Sequence, residues 1–367
     1  MNKESSYYIE KCLNSCVDCK KCMKNCPMIE NYSSSPKSLL KRLAEGELME
    51  SAAYACCQCG YCEAVCPTNT PLMGVFTSIR SEVQNKKSFF SIGKGSLAVG
   101  FHQRNSFSSF FTGASKIKSK KAFFPGCSLL SYSEEIVYKT YKHMKNIDPE
   151  MGLKIYCCGK PTLDMGKNSK FEERFKSVMQ SMKDQGTQEL IVACANCYEV
   201  FKKYGDGIVV TSLWEWLRDN GVPKKCNYRG NNLKFALHDP CPIRKRNEIH
   251  EAVREVLEDI ELPFEEFEYN RDKTLCCGAG AMVKLTETKL ALKQMEKRAN
   301  QTECSHIVTY CESCVESMID GGKPAVHILD LLFNSENIKK RNYEQLIPKT
   351  SERWKNRRRG VQRLKEL

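Results

Sequence analysis

CVDCKKCMKNCP (Cys16–Pro27) and CCQCGYCEAVCP (Cys56–Pro67) write one spacing twice, C-x2-C-x2-C-x3-C-P, on Cys16, Cys19, Cys22, Cys26 and on Cys56, Cys59, Cys62, Cys66. That is the ligand spacing of two cubane 4Fe–4S clusters. Three closely spaced thiolates wrap one side of a compact iron–sulfur core, and the chain must return from elsewhere for the fourth. In two-cluster ferredoxins the fourth cysteine of each run ligates the other cluster. Carried over by position, Cys16, Cys19, Cys22 and Cys66 hold one cluster, and Cys56, Cys59, Cys62 and Cys26 hold the other. Pro27 and Pro67 turn the chain away after the crossed ligand. Structural zinc is the rival for cysteine quartets, and the duplicated eight-cysteine spacing argues against it. Cys12 and Cys57 fall outside the spacing and read as passive thiols.

Further along, a second cysteine pattern repeats. One copy has Cys127, the adjacent pair Cys157-Cys158, then Cys194 and Cys197; the next has Cys241, Cys276-Cys277, then Cys311 and Cys314. Offsets between equivalent positions are 114, 119, 117 and 117, so one architecture occurs twice with small loop differences. Glycine follows both pairs, at Gly159 and Gly278. Each copy offers five thiols, one more than a cubane needs. An adjacent pair strains to reach two corners of one compact cube and suits a more open cluster. Cys226 and Cys304 read as passive.

Short apolar runs precede these cysteines: Ala122 to Phe124, Leu190 to Ala193, Leu233 to Leu237 and His306 to Tyr310. Helical periodicity fills the intervals from Ser133 to Lys145, Phe171 to Lys183, Arg246 to Asp259 and Thr286 to Ala299. The alternation predicts parallel α/β subdomains with ligands at the carboxyl ends of strands. The N-terminal region predicts helices over Ser38–Met49, Ser51–Tyr54 and Val75–Val83. The fold class is multidomain α+β: a helical ferredoxin-like domain (1–84), a Ser/Phe/Lys-rich linker or docking segment (85–121), a first α/β subdomain (122–232), a second (233–335) and a basic tail (336–367). Phe89, Phe90, Phe101, Phe107, Phe110 and Phe111 in the second segment argue against free disorder.

The chain has 367 residues, of which 22 are cysteine, and a formal charge of +13. Disulfide scaffolds belong to small secreted domains, whereas this chain is long and Met1 to Glu10 lacks an apolar signal core. No run approaches the ~18 apolar residues of a spanning helix. Reduced thiolates place the expected site of action in a cytoplasm, in anaerobic metabolism, with any membrane association through a partner or the tail. From Ile338 to Leu367 there are eleven Lys or Arg against three Glu, including Arg357-Arg358-Arg359. This reads as a solvated tail, or as a surface for an acidic partner or anionic lipid. No nucleic-acid recognition motif accompanies it.

The pattern C-x29-CCG…C-x2-C followed by C-x34-CCG…C-x2-C resembles the duplicated "CCG" cysteine-rich domain of heterodisulfide reductases. The same domain occurs in iron–sulfur subunits of anaerobic glycerol-3-phosphate, glycolate and lactate oxidation systems. With the N-terminal dicluster domain, the arrangement is similar to the D-type heterodisulfide reductase subunit over roughly residues 10 to 335. The flanking Phe124-Pro125-Gly126-Cys127 and His238-Asp239-Pro240-Cys241 match the family, and Ala281 departs from a glycine common there.

The resemblance implies two noncubane 4Fe–4S clusters. Cys127, Cys157, Cys158, Cys194 and Cys197 would hold one, and Cys241, Cys276, Cys277, Cys311 and Cys314 the other, with a disulfide cleaved between them. His238 would donate a hydrogen bond or proton there, or serve as a structural histidine at a strand end. Lys160, Arg244 and Lys245 would hold an anionic substrate or offset cluster charge.

The expected function is an iron–sulfur oxidoreductase passing electrons from the cubanes to a disulfide or related sulfur substrate. Its partner would be a flavoprotein or ferredoxin. The alternative is the electron-transfer subunit of a flavin-dependent 2-hydroxy acid or glycerol-3-phosphate dehydrogenase. The chain shows no G-x-G-x-x-G fingerprint or haem attachment motif, so no flavin or nicotinamide site of its own is expected.

Overall fold

The computed structural model describes residues 1–86, 95–223, 228, 233–335 and 347–364. Phe89, Phe90, Cys226 and much of the basic 336–367 stretch lie outside these residues.

The first 86 residues are helical. Helices Lys3–Ser15, Pro36–Ala44 and Leu72–Lys86 close around Ile9, Leu39, Leu40, Leu43, Val75, Phe76 and Ile79, all buried. Local chemistry sets their starts. Asn2 Oδ1 accepts from Ser5 N at 2.8 Å, and Ser35 Oγ accepts from Ser38 N at 3.1 Å with Pro36 following. Pro27 likewise opens helix Pro27–Tyr32 directly after Cys26, where its missing N–H is not needed. The continuous helix expected over Ser38–Met49 is broken. It stops at Ala44, Gly46 takes φ +85°, and a new helix, Met49–Ala55, begins after Leu48. The left-handed glycine ends the helix despite the apolar spacing running past it.

Two α/β subdomains follow. In the first, β1 (Gly113–Ala114), β2 (Lys121–Phe124), β3 (Gly152–Ile155), β4 (Glu189–Val192) and β5 (Val209–Ser212) form a sheet in the order β1-β3-β2-β4-β5, parallel except for β1. In the second, β6 (Phe235–His238), β7 (Phe264–Glu266), β8 (His306–Thr309) and β9 (Ala325–His327) form an all-parallel sheet in the order β7-β6-β8-β9. The cysteine repeat is therefore also a topological repeat. In both sheets the order reverses at the first parallel strand, β2 or β6, so the loops after three adjacent strands converge at one switch point.

The subdomains exchange their last helices. Leu213–Asn220, after β5, packs on Asn247–Asp259 of the second subdomain, and Ile328–Phe333, after β9, packs on Glu134–Ile147 of the first. Trp214 meets Tyr310 edge-on at 5.6 Å, and the buried core runs through both subdomains. Across the joint, Tyr132 Oη donates to Asp330 Oδ2 at 2.5 Å. Burial pushes the Asp330 carboxyl up to about 6, only partly opposed by the Tyr132 bond. A raised folded pKa gives stability that is full below the unfolded value and is lost as pH rises through about 6. Asp330→Asn should thus gain on the wild type between pH 4 and pH 8, by up to about 3 kcal/mol, in urea unfolding at the two pH values.

The segment placed at 85–121 as a linker or docking surface is structured where described. Ser96–Ser106 is a helix with Gln103 and Ser106 buried, β1 joins the first sheet, and Phe107 packs against the core. Only Phe101 and Phe110 of its described phenylalanines are strongly exposed. The tail is corrected as well. Thr350–Arg363 is a helix lying on Cys127–Tyr132, with Asn356, Arg357 and Gly360 buried. Its apolar content is low, but one face carries a small residue and two polar side chains with buried partners.

Candidate iron–sulfur sites

The N-terminal domain gathers its cysteines around two cavities. One is lined by Cys26, Cys56, Cys59 and Cys62, the other by Cys16, Cys19, Cys22 and Cys66, with Cys62 bordering both. The chain thus brings the last cysteine of each run beside the first three of the other. Burial pushes the Cys22 and Cys56 thiols up to about 12, so a bound cation would have to displace their protons. Cys12, up to about 12 for the same reason, lies within the helical core as an inert thiol. Cys57 is not merely passive packing: its Sγ faces Gly278 O at 3.9 Å, on the second α/β subdomain.

In the first five-cysteine site, Cys127 opens a helix after β2, Cys157-Cys158 follow β3, and Cys194 caps helix Ala195–Tyr204 after β4, with Cys197 in its first turn. Cys127 and Cys157 Sγ are 3.6 Å apart. Gly126, at φ +79°, is required here, because a Cβ would come within 3.1 Å of Cys197 Sγ. Bonding from Cys127 draws the Cys157 thiol down, and bonding from Cys197 does the same for Cys194. Gln103 Nε2 points at Cys157 Sγ from 3.7 Å.

The second site repeats the plan with Cys241 after β6, Cys276-Cys277 after β7, and Cys311 and Cys314 at the start of helix Glu312–Asp320 after β8. Cys314 and Cys277 Sγ are 3.3 Å apart, and His238, Cys277 and Cys314 present three ligand atoms within 4.8 Å of one another. Cys277 is drawn well down, chiefly by bonding from Cys276 and Cys314. His238 is fully buried. Its Nδ1 accepts from Arg298 Nε and Nη2 at 3.2 and 3.1 Å, which leaves the proton on Nε2. That Nε2 has no hydrogen-bond partner among the described residues and faces the thiols, as a donor to a metal-bound sulfur would. The first site has Phe124 at the equivalent position, so the two sites differ chemically.

The sites abut one another reciprocally. Helix Ala195–Tyr204 of the first touches the Cys241–Ile243 turn of the second, and Glu312–Asp320 of the second touches Cys127–Tyr132 of the first. Cys127, Cys194 and Cys241 are the half-buried residues of the ten, while the other seven are buried. The N-terminal domain docks at the second site. Cys59 is drawn down to about 6, first by bonding with Cys276, and Arg244 donates to Cys59 O, Asp272 O and Thr274 O. Arg244 is thus a clamp on three carbonyls rather than a substrate cation. Lys160 is paired with Asp164, and Lys245 is exposed. The arginines that matter here, Arg80, Arg298 and Arg357, carried no motif. Periodicity was their only sequence signal: each falls on the inward face of its helix.

Residues 15–71 match the 4Fe-4S dicluster domain, and residues 121–202 and 235–319 match the cysteine-rich domain named CCG. The chain is a redox-active iron–sulfur protein with a dicluster domain followed by two cysteine-rich domains. It is 25% identical to an uncharacterized iron-sulfur protein of Methanococcus maripaludis, over 83% of this chain and 67% of that protein. It is 24% identical to one subunit of the fumarate reductase (CoM/CoB) of Methanothermobacter marburgensis, over 90% and 74% of the two chains. With a D-type subunit, that of the dihydromethanophenazine:CoB–CoM heterodisulfide reductase of Methanosarcina acetivorans, it shares 23% identity over 84% and 89%. No helix among the described residues is long and apolar enough to cross a membrane.

Proposed function

We propose that this protein is an iron–sulfur oxidoreductase of the heterodisulfide reductase type, reducing a disulfide or related sulfur substrate. The observation that carries the reading is the reciprocal contact of two complete five-cysteine sites, with half-buried residues at Cys127, Cys194 and Cys241. The donor sets fit iron–sulfur clusters: they are all-thiol, five to a site, with Cys127 and Cys157 Sγ 3.6 Å apart in one and Cys277 and Cys314 Sγ 3.3 Å apart in the other. Cubane clusters on the two N-terminal quartets, and noncubane clusters on the five-cysteine sets, would supply one-electron carriers and iron able to hold sulfur. The protein's own contribution is placement. Cys59 against Cys276 joins the N-terminal domain to the second site, and Arg298 fixes the His238 tautomer so that an N–H is offered to sulfur there. A ferredoxin or flavoprotein would donate the electrons.

Purified, cluster-loaded protein with reduced viologen should consume small disulfides and release two thiols per disulfide. Intact clusters without turnover would sink the proposal. The burial of seven of the ten cysteines favours a second reading, an electron-transfer subunit whose flavoprotein partner does the chemistry. Copurification with a flavoprotein and no disulfide turnover would select it.

A further inference from the structure

Arg357 stands in a region that the charge pattern marks as tail, yet its side chain is fully buried. Helix Thr350–Arg363 seats it there. Asn356 Nδ2 donates to Ser131 O and Tyr132 O at 2.8 and 3.2 Å, and Tyr138 Oη donates to Gly360 O at 2.7 Å. Gly360 allows the approach, since a Cβ there would come within 2.6 Å of Leu130. Along the same helix Arg353 pairs with Glu312 and Glu316, and Arg359 with Glu134 and Glu352. Arg357 pairs with no carboxylate among the described residues. Its Nη1 donates to Ser106 Oγ at 2.8 Å, its guanidinium lies 4.8 Å from the Trp354 ring centre, and its buried Nε has no partner.

A buried cation without a counter-charge is expensive to keep. The first five-cysteine site offers the missing anion. Ser106 lies one turn from Gln103 on helix Ser96–Ser106, and Gln103 reaches Cys157 Sγ at 3.7 Å, so guanidinium and thiols share one wall. The second site answers the same need differently. Its own helix Thr288–Ala299 brings in Arg298, fully buried and likewise without a carboxylate partner among the described residues. The counterpart helix of the first subdomain, Asn168–Asp184, buries Phe171, Phe175, Val178, Met179 and Met182; its one arginine, Arg174, is only half-buried and donates to Thr162 Oγ1 at 2.8 Å.

We infer that Arg357 is the buried counter-cation of an anionic metal cluster on Cys127, Cys157, Cys158, Cys194 and Cys197, so that loading of this site and seating of the C-terminal helix are coupled. The inference rests on the cluster-bearing part of the proposed function and not on disulfide chemistry. The full chain, reconstituted with iron and sulfide, is compared as wild type, Arg357→Lys and Arg357→Gln. The readouts are iron content, EPR-monitored redox titration and limited proteolysis of residues 350–363 with and without metal. Arg357→Gln should lose the iron of one site, or titrate that site at a lower potential, while Arg357→Lys retains it. Metal-free wild type should be cut in this helix faster than loaded wild type. Full loading of Arg357→Gln at unchanged potential, or equal proteolysis with and without metal, would overturn the inference. Should Arg357→Gln not fold, Cys127→Ser/Cys157→Ser decides: faster cutting of the helix supports the coupling, and unchanged protection overturns it. Absence of disulfide turnover leaves all these readouts intact and bears on the proposed function alone.

Discussion

Replacing Arg80 with alanine is expected to destabilise the protein by about 3–5 kcal/mol and to undock the N-terminal domain. Arg80 is fully buried, and every bond it makes is to a backbone carbonyl. Nε donates to Ala53 O at 2.9 Å and Nη2 to Cys56 O at 2.7 Å, within its own domain. Nη1 donates to Asp164 O at 2.7 Å in the first α/β subdomain and to Ala281 O at 3.0 Å in the second. One guanidinium therefore ties three domains, and truncation leaves four acceptors without their donor. The fit around it is close. A Cβ on Gly166, at φ +83°, would meet the Arg80 carbonyl carbon at 2.4 Å. Lysine has the charge but not the planar fork, so Arg80→Lys should recover only part of the loss. Denaturant unfolding should show the helical domain melting separately from the α/β pair in Arg80→Ala, and electron arrival at the five-cysteine sites should slow in stopped flow. A change within about 0.5 kcal/mol, the scatter of an unremarkable surface substitution, would refute the keystone role.

The cysteines were legible because their chemistry is local: spacing alone grouped them, and the offsets near 117 announced two similar sheets. Strand-end placement of Cys127, Cys194, Cys241 and Cys311 followed from the apolar run before each. What the sequence hid is what depends on backbone partners far away. Arg80 and Arg244 bind carbonyls, which leave no residue-type signature in the positions they come from. The Ser38–Met49 helix failed because apolar spacing continues through Gly46, and two left-handed residues, Gly46 and Leu48, outweigh it. The tail failed for a related reason. Net charge describes a segment's average, whereas burial of Arg357 depends on its face of the helix and on Gly360 three residues on. Ala281, which departs from a glycine common in the resembled family, offers its carbonyl to Arg80 from a left-handed backbone at φ 51°.

Asp239→Asn should destabilise the second subdomain by about 3 kcal/mol at neutral pH and disturb the second five-cysteine site with it. Asp239 is fully buried between His238 and Cys241, and its carboxylate is saturated. Arg254 donates to both oxygens at 3.1 and 2.9 Å, Tyr310 Oη to Oδ1 at 2.7 Å and Arg271 N to Oδ2 at 2.8 Å. Burial pushes this carboxyl up, but the Arg254 bonds and charge, with the Tyr310 bond, outweigh it and bring it down to about 2. An amide can replace one acceptor and turns the other into a donor facing Arg254. Because Arg254 keeps Glu266 at 2.7 and 2.8 Å, the loss should fall at the low end for a broken buried pair. The pH signature has a definite sign. A folded pKa below the unfolded value gives stability that is present above about pH 4 and lost as pH falls through about 2. The asparagine variant lacks this acid-labile contribution, so the stability gap to wild type should narrow between pH 4 and pH 2. The site should feel the change through Thr274, whose hydroxyl donates to Asp239 O at 2.8 Å two residues before Cys276. Urea titrations at pH 7 and pH 2.5 test the first claim, and iron content with the EPR signal of the second site tests the second. An equal gap at both pH values would mean that folding leaves the Asp239 pKa at its unfolded value, and that Arg254 gives its carboxylate no net stabilisation.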